Sequence, residues 1–467
     1  MHRPTTVAAP TATEAVTGPA AADGAGGKTN PAEVRAHPLR AARTALRRTT
    51  THIHHATPPT RDRAVDALRA LAITGIVLGH WLVTALVPDS GTLHAASPLQ
   101  HMPWLAPISW LFQTLAVFFL VGGHVATKSY ASARAHGTPY THWLHTRLTR
   151  LFSPVAAVLL LWTAVAAGLL VTGAPMTTVH ALLKLALSPL WFLLVFAALT
   201  AATPLITRLN PLWPLAVVLH VDLIRFGLGG PEALGWVNLA AGWLVPYTLG
   251  AAWTRGELDR RRAGWLLLTG GTAATAALIV WAGYPASMVG VPGASVSNLN
   301  PPTLAAVTFG LAQCGLALLL RGPLRRTLTR RPMAWAVVAL ANLSAMTIFL
   351  WHQTALMATT ATGLSAGHLP GLHTPPDNLA WVAARLAWLP VFALALLLCW
   401  TAFHGYEHRR PRPRPRPRFG KGSRVVRLRR HPKRTLHPQA TQHPQATQHP
   451  QATRHPENPR PRPVPHA

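Results

Sequence analysis

The sequence predicts an all-α, multi-pass membrane protein of about ten transmembrane helices, with both ends of the chain on the cytoplasmic side. Three observations predict it. Apolar runs rich in Leu, Ala, Val and Trp follow one another from residue 64 to residue 403, each near the roughly 20 residues that carry a helix across a bilayer. Lys and Arg collect in alternate connecting segments, the pattern of cytoplasmic loops. The two ends are polar and basic, and they carry +19 of the net charge of +30.

Spans are expected at 65–87, 104–127, 152–173, 186–206, 211–227, 234–253, 264–283, 302–320, 335–358 and 381–403. The first opens on an arginine and holds one histidine, LRALAITGIVLGH. The second ends in LAVFFLVGGHVATKSY, and the third follows the basic run HTRLTR. Only TRLNP separates the fourth span from the fifth. TRGELDRRRA and RGPLRRTLTRRP close the sixth and eighth on the cytoplasmic side. The opposite segments, PDSGTLHAASPLQHM, PASMVGVPGASVSNLNPP and TGLSAGHLPGLHTPPDN, hold no Lys or Arg. Lys184 and Arg225 are the exceptions to this alternation.

Three regions result: a disordered basic tail at 1–63, a transmembrane domain at 64–403, and a disordered basic tail at 404–467 rich in Pro, Arg and His. The first tail has no apolar core of a signal peptide. The second contains RPRPRPRPRF, which favours extended polyproline II, and three HPQAT repeats. Basic tails flanking a plasma-membrane protein suit anionic lipid rather than nucleic acid. The two cysteines, Cys314 and Cys399, lie inside apolar runs and suggest neither a zinc site nor a disulfide framework.

Chemistry concentrates at a few polar positions. Arg69 and His80 are eleven residues apart, three helical turns plus about 20°, so they share one face at a separation of roughly 16 Å. Asp66 lies one turn before Arg69 and is placed to pair with it. An intramembrane histidine is costly, and its default reading is functional. Arg147 and Arg150 share a face before the third span, where they either anchor topology or hold phosphates. Gly122 and Gly123 allow close approach of a helix or a cofactor, with His124 next to them. Asp222 and Arg225 form an i,i+3 pair in apolar surroundings. His352 is a second intramembrane histidine. No phosphate loop, GxSxG elbow, HExxH or nucleotide-binding glycine pattern is present.

RAVDALRALAITGIVLGH resembles the first membrane helix of the acyltransferase 3 family, integral membrane acyltransferases of bacterial glycans, lipids and some antibiotics. Its Arg-x10-His pattern is matched by Arg69 and His80, and its Arg-x-x-Arg pattern by Arg147 and Arg150. FFLVGGH, SPLWFLLVF and MTIFLWHQ resemble further family segments, with Gly122 where a serine is usual. The resemblance implies a ten-helix O-acyltransferase. His80 would be its catalytic histidine, with Arg69 near it. Arg147 and Arg150 would serve the acyl-CoA site, to which Gly123 and His124 are added as candidates. Asp222, Arg225 and His352 are candidates for binding the acceptor, a glycan, lipid or small molecule. Acetyl-CoA is the expected donor, and no metal is expected.

The residues fit that chemistry by themselves. Acyl transfer needs a base for a hydroxyl, and imidazole titrates near working pH. Coenzyme A is polyanionic and suits an arginine-lined mouth. The alternatives are a transporter or exporter of a glycan or small polar product, since intramembrane His, Asp and Arg also suit proton coupling, and a membrane organiser acting through its tails.

Overall fold

The computed structural model describes residues 44, 48–89 and 91–407, and they form an all-α fold. Its principal helices are α1 Arg63–Val83, α2 Leu115–Ala135, α3 Tyr140–Val171, α4 Met176–Leu187, α5 Leu190–Ala201 and α6 Leu212–Asp222. They continue with α7 Val237–Thr254, α8 Arg261–Val280, α9 Leu304–Arg330, α10 Pro332–Leu343, α11 Ala345–Gly363 and α12 Leu379–Glu407.

Seven helical stretches among the described residues are long and apolar enough to cross a membrane, and an eighth if α10 and α11 count as one span bent by 74°. The fourth span, expected at 186–206, is displaced toward the N-terminus: the apolar stretch is Met176–Ala201, made of α4 and α5 with a break at Ser188 and Pro189, and α4 lies almost wholly ahead of the expected start. The fifth and sixth, expected at 211–227 and 234–253, fall outside this set. α6 is only 11 residues long and passes into a π-helical turn at Leu223–Gly227. α7 has the length, but 13 of its 18 residues are buried in protein, among them Asn238, Tyr247 and Thr248. A helix surrounded by other helices has no lipid to face, so its sequence needs no uniformly apolar surface.

The first span is shorter than the run to residue 87. α1 stops at Val83, and the chain turns into a hairpin of β1 (Ala85–Asp89) and β2 (Thr92–Ala96), paired antiparallel with Ala85 opposite Ala96. Gly91, at φ 78°, supplies the left-handed backbone the tight turn needs. The expected tails lie mostly outside the described residues. Residues 48–56 are helical, and the Trp335 indole donates to Thr57 Oγ1 at 2.8 Å, so folded structure begins ahead of residue 64.

α2 and α7 cross at the centre. A Cβ on Gly123 would collide with the Tyr247 carbonyl, and one on Gly250 with the carbonyl of Leu120. Paired small residues let the backbones touch, the usual device where helices gain little from excluding water. Phe119, Trp243 and Tyr247 then pack into one large apolar core with residues of α1, α3, α5, α11 and α12. Asp62 caps α1 by accepting from Ala64 N at 3.0 Å.

Gly123→Val should therefore lower stability by about 2–3 kcal/mol through overpacking. Thermal unfolding in detergent checks this. An unchanged midpoint would mean that α2 and α7 can separate without cost.

Candidate functional site

α1 carries residues 69, 73, 76, 80 and 83 at spacings of four, three, four and three, which place them on one stripe. That stripe lines two cavities in succession. The first, about 580 Å³, is bounded by Arg69 and Ile73 of α1, Phe118 and Gly122 of α2, and Arg147 and Arg150 of α3. The second, about 260 Å³, is bounded by Ile76, Gly79, His80 and Val83, by the strand end at Ala95 and Ala96, and by Trp191 and Phe349. Aromatic rings stand between them. Phe118, on the first cavity, packs against Phe192 of α5, on the second, with centroids 5.3 Å apart. Phe192 in turn meets Phe349 of α11 at 4.8 Å.

The first cavity gathers three arginines from two distant parts of the chain. No Asp or Glu is among the described residues that line it. Arg69 does not pair with Asp66 as its spacing suggested. Arg61 holds that carboxylate at 2.6 Å, and the Arg69 guanidinium makes no hydrogen bond or ion pair among the described residues. Arg147 donates to the Val125 carbonyl at 3.4 Å and lies over the Trp143 ring at 5.4 Å. Arg150 is exposed. Arg69, expected beside His80, thus belongs with Arg147 and Arg150.

His80 closes the other end of the stripe. Its Nδ1 lies 3.0 Å from the side-chain amide of Gln353, and its ring sits 5.1 Å from that of His352. His352 is fully buried and does not line the cavity. Its Nδ1 donates to the Phe349 carbonyl at 2.6 Å, and its own carbonyl accepts from the Trp81 indole at 3.0 Å. It therefore stands behind His80, against the expectation of an acceptor contact. Polar side chains on the cavity come from Thr84, Ser97, Gln113, Thr114 and Ser188, and none of them is charged.

Two residues that sequence reasoning missed hold this end. Arg385 of α12 is completely buried. It donates to the carbonyls of Trp81 at 2.7 Å and Gly371 at 3.0 Å, and also to that of Thr84. It therefore serves carbonyls at the C-terminal end of α1, where a helix leaves acceptors unpaired and favours positive charge. Phe392 and Trp381 flank its guanidinium at 4.7 and 5.4 Å. An arginine inside the apolar run WVAARLAW was the available signal. Gln353, the other, stood next to His352 in LWHQ.

The remaining candidates lie elsewhere. Gly123 sits in the α2–α7 crossing. His124 stacks on Trp253 at 4.1 Å, with Nδ1 3.0 Å from Thr254 Oγ1. Gly122, not Gly123, borders the arginine cavity. Asp222 is buried and accepts from Asn238 at 2.9 Å, from the Tyr284 hydroxyl at 3.0 Å and from Leu304 N at 2.6 Å. Arg225 approaches it only to 3.8 Å. Neither lines the His80 cavity. Asp222 thus ties α6, α7, the 281–303 loop and the start of α9 together. Burial, and then the Asp222 charge, push the Tyr284 phenol above its ordinary pKa, so it stays a neutral donor. Among the described residues no three His, Cys, Asp or Glu side chains gather into a metal-ligand group.

Residues 62–404 match a family described as an acyltransferase domain. No curated protein and no solved structure matches the chain.

Asp222→Ala should lower stability by about 3 kcal/mol, because it leaves three buried donors unpaired. Thermal unfolding in detergent measures it. A variant as stable as wild type would free Asp222 for a role in binding.

Proposed function

The chain belongs to the acyltransferase 3 family, and from that premise we propose that it is a plasma-membrane O-acyltransferase. It moves an acyl group, acetyl in the simplest case, from cytoplasmic acyl-CoA to a hydroxyl of a glycan, lipid or secreted small molecule. One observation carries the reading: a single face of α1 joins a cavity of three arginines to a cavity holding one histidine.

The donor's phosphates go to Arg69, Arg147 and Arg150. Guanidinium forks suit phosphate oxygens, and a cavity without carboxylates offers them no rival partner. The cavity holds only part of so large a donor, so the rest of coenzyme A lies outside it. The thioester end then reaches toward His80 past Phe118 and Phe192. The acceptor occupies the uncharged second cavity, where its hydroxyl meets His80.

His80 Nε2 takes the hydroxyl proton as the oxygen attacks the thioester carbonyl. A C–O bond forms, the C–S bond breaks, and the proton held by the imidazole passes to the departing thiolate. The products are an ester and free coenzyme A. Gln113, whose side-chain amide makes no hydrogen bond among the described residues, lines the same cavity and is the donor we assign to the developing oxyanion.

His80→Ala should reduce turnover by about 10²- to 10⁴-fold, the usual worth of a general base, while acyl-CoA still binds. Arg147→Ala/Arg150→Ala should weaken acyl-CoA binding by at least about tenfold, since charge-assisted hydrogen bonds contribute about 1.5–3 kcal/mol each. Titration of the detergent-purified protein with acetyl-CoA, and then with longer acyl-CoAs, measures the second effect without needing the acceptor. Full turnover by His80→Ala would remove the base assignment. Undiminished binding by the double variant would return those arginines to topology anchors.

A further inference from the structure

We propose that Gln353 is a positioning residue that holds the resting proton of His80 on Nδ1, so that Nε2 is the atom left to accept a proton. The inference rests on the reading of His80 as the base and adds the group that makes it one.

A neutral imidazole carries one proton, and the partner of one nitrogen decides which. Here only Nδ1 has a partner. The structure sets Gln353 Nε2 3.0 Å from it, and Gln353 is completely buried. No hydrogen bond to His80 Nε2 is found among the described residues, and His80 lines the second cavity. A carboxamide has two ends of nearly equal shape, so two orientations give the same contact with opposite consequences.

With the NH₂ toward His80, Nδ1 must accept. The imidazole proton then sits on Nε2, and the nitrogen facing the cavity cannot take another. This orientation also leaves Gln353 Oε1 buried without a partner, close in the chain to His352 Nε2, which is likewise buried and unpartnered. His352 Nδ1 donates to the Phe349 carbonyl, so its Nε2 is an acceptor too. Buried polar atoms without partners are costly. Turning the amide puts an N–H donor where Oε1 stood, so the number of orphans is the same in both orientations and the chemistry of the step chooses between them. Gln353 Oε1 then accepts from His80 Nδ1–H, and Nε2 is left with a free lone pair.

The turned amide also suits the step itself. When Nε2 takes the hydroxyl proton, Nδ1 keeps its own, and the imidazolium holds a hydrogen bond to Gln353 Oε1 throughout. With the NH₂ inward, two donors would face each other in the charged state. Gln353 is fixed for this task by its neighbour, since the Trp81 indole, one residue from His80 on α1, donates to the His352 carbonyl. The same two helices therefore exchange a backbone-directed bond and a side-chain bond in adjacent positions.

The test is nitrogen NMR on the full chain labelled with ¹⁵N-histidine in detergent, with the His80 signals assigned by their loss in His80→Ala. The expected resting state has a protonated Nδ1 and a bare Nε2. Gln353→Leu should give a mixture of both tautomers. Its kcat should fall by about 10- to 100-fold, less than loss of the base, with its KM for acetyl-CoA unchanged within about twofold. Gln353→Glu, which keeps an acceptor oxygen, should restore the Nδ1–H form. A resting Nε2–H form in the wild type would overturn the proposal, as would a Gln353→Leu protein with wild-type tautomer and kcat. If Gln353→Leu does not fold, the wild-type spectrum and Gln353→Glu still decide. Turnover surviving in His80→Ala would instead refute the base reading, and the tautomer result would stand or fall on its own spectrum.

Discussion

The structure depends on how the C-terminal end of α1 is held by a buried side chain. A helix end leaves carbonyls unpaired, and an apolar interior makes each of them expensive. Arg385 meets this constraint with a buried guanidinium that serves Trp81, Thr84 and Gly371 together. The same contacts bind α12 and the 371 region to the turn that leads into β1. His80 lies one residue before Trp81, so the histidine of the second cavity sits on a turn that Arg385 holds. A buried arginine with no carboxylate partner among the described residues looks costly alone. Its carbonyl bonds and the flanking rings of Trp381 and Phe392 are what make it tolerable.

From that fixed end, α1 works as a ruler. Its stripe of Arg69, Ile73, Ile76, His80 and Val83 can only line two cavities if neighbouring helices leave space beside it. The α2–α7 crossing arranges this. Because Gly123 and Gly250 bring those backbones together, Phe118 and Gly122 on an adjoining part of α2 face the arginine cavity. The break between α4 and α5 brings Ser188, Pro189 and Trp191 to the second cavity, and the bend at Ser344 lets α11 turn Gln353 toward His80. Irregular places in helices thus sit where a continuous rod would have filled the space.

Legibility in the sequence followed what each residue faces. Long apolar runs announce helices, so α1, α3, α8, α9 and α12 were legible. α7 is packed among protein, and the run that marked it reflects its Leu, Val and Ala more than any membrane contact. The hairpin at 85–96 was hidden because ALV continues the apolar run of α1. The shared face of Arg69 and His80 was readable from eleven residues of helical spacing. Arg69's company with Arg147 needed the fold. So did Gln353, 273 residues from His80, since no periodicity says which polar side chain of one span meets which of another. Small and polar residues mark cofactor sites and helix crossings alike, so the sequence around Gly123 and His124 suits either; in the structure both contact α7.

The aromatic layer between the cavities has its own logic. On the proposed function, a polyanionic donor from the arginine cavity and a hydroxyl in the second cavity must meet at His80. Phe118, Phe192 and Phe349 separate the two spaces with rings in edge contact, and such rings move by rotation about side-chain torsions without disturbing a backbone. Phe118 comes from the helix that borders the arginines, and Phe349 from the helix that carries Gln353. Both rings pack on Phe192, so on the proposed function a donor that reaches past the first ring meets packing continuous with the helix of Gln353.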